Sequence, residues 1–195
     1  MNRIDTLVGI DEVGRGPLAG PVTVCALAVA KDFDQALCKG IRDSKKLSPA
    51  QRQKWLSVIN ALKEQGSVRY SIVSVESDVI DAQGISYAIT HALERALSEL
   101  ALDPQTTAIL LDGGLKAPPL FSNQQTIIKG DETEPVISMA SIVAKEHRDA
   151  LMKKCSEEYP EYGFAEHKGY GTKKHLDAIK KHGMSIVHRR TFIHV

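Results

Sequence analysis

Three apolar runs in this chain each end on a carboxylate beside glycine, and that repetition narrows the folds open to it more than any other feature. Leu7-Val8-Gly9-Ile10 leads into Asp11-Glu12 and then Gly14-Arg15-Gly16. Ala108 to Leu111 leads into Asp112-Gly113-Gly114, and Thr126-Ile127-Ile128 into Lys129-Gly130-Asp131. Short apolar runs punctuated by glycine read as buried strands. A carboxylate is seldom buried unless something pairs with it. Ligands of open α/β sheets gather beyond the carboxyl ends of the strands. Three such ends predict one edge of a sheet at which Asp11, Glu12, Asp112 and Asp131 meet.

The remaining pattern supplies the rest of an α/β domain. Val22 to Val29 and Val68 to Val75 read as two further strands. A helix is expected after Ser48, with Ser48 as N-cap, Pro49 in the first turn, Gln51 completing a capping box, and Gly66 as stop. Its apolar face is Trp55, Val58, Ile59 and Leu62. Ile85, Ala88, Ile89, Ala92, Leu93, Ala96, Leu97 and Leu100 form the stripe of a core helix. Longer and shorter helices are expected over Pro135 to about Glu158 and over Thr172 to His182. Gly14-Arg15-Gly16-Pro17-Leu18-Ala19 satisfies a dinucleotide-binding pattern, but that motif needs a helix directly after it. Pro21 and the β-branched run that follows call for a strand, which excludes it.

A chain of 195 residues, 43% of them apolar, suits one domain with a sizeable core. It has no signal-like or membrane-length apolar run. Cys25, Cys38 and Cys155 are too few and too widely spaced for a disulfide framework or a zinc site, so a cytoplasmic protein with reduced thiols is expected. The net charge of +1 conceals an uneven spread. From Gly163 onward seven Lys and Arg face two acids, a net +5, and five of the seven histidines lie there; the preceding residues carry a net −4. An acidic body with a basic tail suits a protein that holds cations at one place and a polyanion at another. A solvated basic helix would give the same count.

Four converging carboxylates repel one another, so a site built from them calls for compensating positive charge. Oxygen donors without His or Cys select hard cations, Mg²⁺ or Mn²⁺. Carboxylate-held ions of that kind match the scheme for cleaving phosphodiesters. Adjacent strand residues point to opposite faces, so Asp11 and Glu12 share a site only where the strand ends or twists; Gly9 and Gly14 are placed to allow such a distortion.

Six segments, in order and over nearly the whole chain, resemble bacterial ribonuclease HII: GIDEVGRGPLAGPV at the start, DSKKLS at Asp43–Ser48, LLDGG at Leu110–Gly114, KGDE at Lys129–Glu132, ISMASIVAKEHRD at Ile137–Asp149, and HKGYGT at His167–Thr172. The resemblance implies a ribonuclease H-like fold, a mixed central sheet flanked by helices, and a basic helical extension over about 160–195 that touches substrate. It implies a metal-dependent endonuclease, using Mn²⁺ or Mg²⁺, that cuts the RNA strand of RNA/DNA hybrids and single ribonucleotides in duplex DNA. It further implies a monomer with no membrane association. Asp11, Glu12, Asp112 and Asp131 take the catalytic, metal-holding positions. Gly14, Arg15 and Gly16 take the place of a backbone sensor for the 2′-OH at the RNA-to-DNA junction, and Tyr170 that of the ring beside it. Lys45, Lys46, Lys145, Arg148 and Thr172 are candidate substrate contacts, with a helix-surface salt bridge as the competing role for Arg148. Two other functions fit the carboxylates less well: a hybrid-binding protein without turnover, and a hydrolase of small phosphate esters.

Overall fold

The computed structural model describes residues 3–41 and 44–194. Five strands form one sheet: β1 (Thr6–Val13), β2 (Val22–Ala30), β3 (Val68–Val75), β4 (Thr107–Asp112) and β5 (Gln124–Ile127), in the order β3-β2-β1-β4-β5. β1, β2 and β3 form an antiparallel meander, while β4 and β5 add to β1 in parallel. The sheet is therefore mixed, as the alternation of elements predicts.

The helices are α1 (Pro49–Glu64), α2 (Ser77–Gln83), α3 (Ile85–Leu100), α4 (Gly130–Thr133), α5 (Pro135–Glu158), α6 (Phe164–His167) and α7 (Lys173–His182). α1 starts where its signals put it: the Ser48 hydroxyl accepts from the Gln51 backbone N–H, and the Gln51 side chain accepts from the Ser48 N–H. α3 buries Ala88, Ile89, Ala92, Leu93, Ala96, Leu97 and Leu100 on one face of the sheet, against Val8, Ile10, Val24 and Ile109. Each large aliphatic chain buried this way stabilises the fold by about 2 kcal/mol. The other face carries α1 and α5, packed on Cys25, Leu27, Val29 and Val68. Both Cys25 and Cys38 are buried and, like Cys155, free.

Three local features differ from the sequence reading. β1 runs on to Val13 rather than stopping before Asp11, so both carboxylates lie within the strand. Gly9 serves packing rather than twist, because a Cβ there would stand 2.4 Å from the Val136 backbone at the start of α5. The third run ends as a strand at Ile127; Asp131 follows it in the first turn of α4, after Lys129 takes the left-handed conformation with φ 57°.

Beyond α5 the chain forms short helical turns around a separate cluster of Ala19, Met152, Tyr162, Phe164 and Ile179. This segment returns to the loop between β1 and β2. Ala19 bridges to His188, Leu18 N–H donates to Gly169 O at 2.8 Å, Gly20 N–H to Val187 O at 2.8 Å, and Arg189 N–H to Leu18 O at 2.8 Å. Among the described residues, no helix is long and apolar enough to cross a membrane.

Candidate active site

β1 and β4 pair only from Thr6↔Thr107 to Ile10↔Leu111, whereas β1 continues against β2 to Val13↔Thr23. Asp11 and Glu12 thus stand past the end of the parallel ladder. Strand alternation puts Asp11 and Asp112 on the α5 face and Glu12 on the opposite one. The expected conflict of faces is real, and it is relieved by position: past the last paired residues of β1 and β4, Asp11 and Glu12 both line one cleft.

That cleft, of about 470 Å³, runs from Asp11, Glu12 and Val13 past Ser44, Lys45, Arg52, Ser141, Lys145 and Asp149 to Lys168 and Tyr170. Asp112 and Asp131 adjoin its carboxylate end. The Asp131 N–H donates to Asp112 Oδ1 at 3.4 Å, and Gly130 lets the two approach, since a Cβ there would meet Ile137 Cδ1 at 2.6 Å and Asp112 Oδ1 at 3.5 Å. Asp11 and Asp131 are each only 5% exposed.

The electrostatics carry the mark of gathered negative charge. Burial, with Glu12 and Asp112 beside it, pushes the Asp11 carboxyl up to about 8, even though the Ser141 hydroxyl hydrogen-bonds to it. Burial also raises Glu12, against the opposing pull of Arg15, whose Nε lies 3.6 Å from Glu12 Oε1. A cation would offset these penalties, and the oxygen-only donor set fits Mg²⁺ or Mn²⁺. Among the described residues, no three such groups close around a single point. Glu12 is drawn toward Arg15, and Asp131 toward Lys45 at 3.8 Å.

The lysines of the polar segment face α4: Lys45 lies near Asp131, and Lys46 Nζ lies 2.6 Å from Glu132 Oε2. Arg42 and Asp43, at the head of that segment, lie outside the described residues. Lys145 lines the cleft while paired to Asp149 at 2.6 Å. Tyr170 is 45% exposed at the far end. Thr172 caps α7, its hydroxyl accepting from His175 N–H at 3.3 Å.

Arg148 is neither a phosphate contact nor the partner of a surface salt bridge. It is 0% exposed and donates to three backbone carbonyls: Pro21 at 2.8 Å, Lys168 at 3.0 Å and Ala19 at 3.2 Å. α5 turns this side chain inward, into the joint between the β1–β2 loop and the C-terminal segment. Gly14, with φ 91°, lies directly against it; a Cβ there would stand 2.2 Å from Arg148 Nε.

Residue-type reasoning missed several members of the site. Ser44 and Ser141 share a hydrogen bond at 2.9 Å, which links the polar segment through Ser141 to Asp11. Arg52 bridges Glu146 at 2.5 Å and the carbonyl of Leu47 at 2.8 Å, fixing the same segment to α5. Arg189, also 0% exposed, donates to Gly14 O at 2.7 Å, Arg15 O at 3.0 Å and Gly20 O at 2.9 Å. Flanked by His188 and Arg190, Arg189 carries no local signal that sets it apart, and counting it with the other cations hid it.

The comparisons with known proteins agree with this geometry. The family model described as Ribonuclease HII matches residues 8–195. A curated Ribonuclease HII from Caldicellulosiruptor bescii is 42% identical over 187 residues, covering 96% of this chain and 86% of that one. The chain belongs to the ribonuclease HII family. Ribonucleases H are metal-dependent endonucleases acting on RNA/DNA hybrids, and this chain is a hydrolase of that kind. In fold it is similar to the crystal structure of ribonuclease H2 from Pyrococcus horikoshii OT3, with a TM-score of 0.75, 26% identity and coverage of 95% and 93% of the two chains. It also resembles the fold of Bst-RNase HIII crystallised in complex with Mn²⁺, at a TM-score of 0.68, 17% identity and coverage of 97% and 67%.

Proposed function

We propose that this ribonuclease HII cuts the RNA strand of hybrids and also single ribonucleotides embedded in duplex DNA, with Mn²⁺ or Mg²⁺ held by Asp11, Glu12, Asp112 and Asp131. One observation carries the reading: the strand that bears Asp11 and Glu12 continues directly into the Gly14-Arg15-Gly16 turn, and Tyr170 lines the same cleft. Bound metal would supply the positive charge that makes water a competent nucleophile and steadies the leaving oxygen. The protein's part is to position. Asp11 is oriented by Ser141, the turn presents its backbone to the 2′-OH, and the ring of Tyr170 offers a face to the neighbouring sugar.

Lys45 and Lys145 supply positive charge along the cleft for phosphates, and Lys46 adds to it from the α4 side. The Thr172 hydroxyl accepts from the backbone but keeps its own proton to donate. Residues 1–195 act as one catalytic unit whose part beyond about residue 160 lies along the duplex. The enzyme works as a monomer in the cytoplasm. In the Mn²⁺-bound RNase HIII structure a related fold holds the metal proposed here.

The test is cleavage mapping on a DNA duplex with one ribonucleotide, with Mn²⁺ or Mg²⁺. A single cut beside the ribonucleotide supports the proposal. An intact duplex, alongside a cleaved hybrid, overturns its finer part, and binding without turnover on either substrate would favour a non-catalytic hybrid binder.

A further inference from the structure

The C-terminal segment contains a chain of hydrogen bonds whose direction is fixed at both ends. Ser185 N–H, which can only donate, lies 2.9 Å from His188 Nδ1. His188 Nδ1 is therefore an acceptor, and the neutral ring carries its proton on Nε2. That Nε2 lies 3.1 Å from His175 Nε2, which must accept, leaving the His175 proton on Nδ1. His175 Nδ1 lies 2.9 Å from Tyr170 O, a carbonyl that can only accept. The directions assigned from the amide end and from the carbonyl end agree.

Both rings are buried, at 0% and 2% exposure, and are enclosed by His167, Tyr162 and Phe164. Burial holds both histidines below their ordinary range, which keeps them neutral and the relay intact at neutral pH. The next residue, Arg189, spans the carbonyls of Gly14, Arg15 and Gly20 with its guanidinium. Adjacent residues of one segment thus fasten the two elements assigned to the junction: His188 through His175 to Tyr170, and Arg189 to the Gly14-Arg15-Gly16 turn.

We infer that His188 and Arg189 form a positioning pair that fixes the spacing between the turn and Tyr170, and so sets selectivity for a ribonucleotide followed by DNA. The inference rests on the reading of those two elements given above. Neither residue lines the cleft, and both are buried. Both act through backbone carbonyls, so their loss is expected to alter which substrate is cut more than whether cutting occurs.

The experiment compares kcat/KM for a duplex with one embedded ribonucleotide and for an RNA/DNA hybrid of equal length, on full-length wild-type, His188→Leu, His188→Gln and Arg189→Lys proteins. Gln restores an N–H donor toward His175, whereas Leu does not. Losing one fixed hydrogen bond is expected to lower the ratio of the two constants about tenfold in His188→Leu. His188→Gln regains most of that ratio, and Arg189→Lys, which keeps the charge without the three-way fork, lowers it again. Equal losses in His188→Leu and His188→Gln, or parallel losses on both substrates, overturn the inference.

A measurement on the wild type does not depend on any variant folding: ¹⁵N NMR of the imidazoles should find the proton on Nε2 of His188 and on Nδ1 of His175, and any other pattern refutes the relay. If the wild type itself leaves the embedded ribonucleotide uncut, the proposed function fails. If it cuts and the variants leave the ratio unchanged, only this inference does.

Discussion

The carboxylate end of the cleft and the joint at its other end both contain buried charge, handled in opposite ways. At the first, Asp11 is buried beside Glu12 and Asp112, and its ionised form is disfavoured. At the second, Arg148 and Arg189 are more deeply buried, but each has three backbone carbonyls to receive its donors. Burial and the neighbouring Arg148 pull Arg189 down only to about 9, so it stays charged at neutral pH. A buried charge that the protein satisfies itself is structural, whereas one it leaves strained is an invitation to a ligand.

The sharpest way to break this contrast is Asp11→Asn. If the strained charge serves metal-assisted chemistry worth several kcal/mol, cleavage should fall roughly a thousandfold. The melting temperature should hold or rise, since the substitution removes a buried carboxyl that folding keeps from ionising. A large loss of stability would instead make Asp11 structural. The mirror-image change, Arg148→Leu, strands three carbonyl oxygens and should lower unfolding free energy by about 3 kcal/mol or more, measured by urea denaturation. Little change would show that the joint does not depend on its fork.

The pH dependence of the joint follows from His188. Burial, together with His175 and Arg190, pulls its pKa from 6.5 down to about 4. Between those values the unfolded chain takes up the proton and the folded one does not, so the contribution is complete above pH 6.5 and is lost as pH falls toward 4. The loss is at most about 3 kcal/mol. Other groups titrate in the same window, so the check is the difference between wild type and His188→Gln, which should narrow as pH drops. A constant difference would mean that His188 does not stay neutral. The smallest effect is expected from Lys46→Ala: its pair with Glu132 is solvent-accessible and screened, so the thermal midpoint should barely move. A larger change in the thermal midpoint would give the α4 contact a structural role beyond its exposure.

The same contrast explains what could be read from the chain. The sheet, α1, α3 and α5 were legible because their signals are local: alternation, a capping box, a stripe of apolar residues. The acidic residues were legible for the same reason, each following an apolar run. Arg148 was misassigned because a guanidinium buried among carbonyls has the same letter as one on a surface, and its partners Ala19 and Pro21 lie 129 and 127 residues away. The histidines of the tail raised an expectation of polyanion binding, yet His175 and His188 are enclosed and neutral. Only three-dimensional closure of the C-terminal segment onto the β1–β2 loop reveals them.

The run of β1 beyond the end of its ladder with β4 has a metrical consequence. Asp11 lies three positions before Gly14, along the end of β1 and into the turn, roughly 10 Å at strand spacing, so under the proposed function the offset between the hydroxyl that is read and the bond that is cut is written in covalent geometry. In that reading the end of β1 acts as a ruler. Lengthening it by one residue between Val13 and Gly14 should move the cut or abolish it, which end-mapping of the products would reveal; an unmoved cut at full rate would show that the offset is set elsewhere.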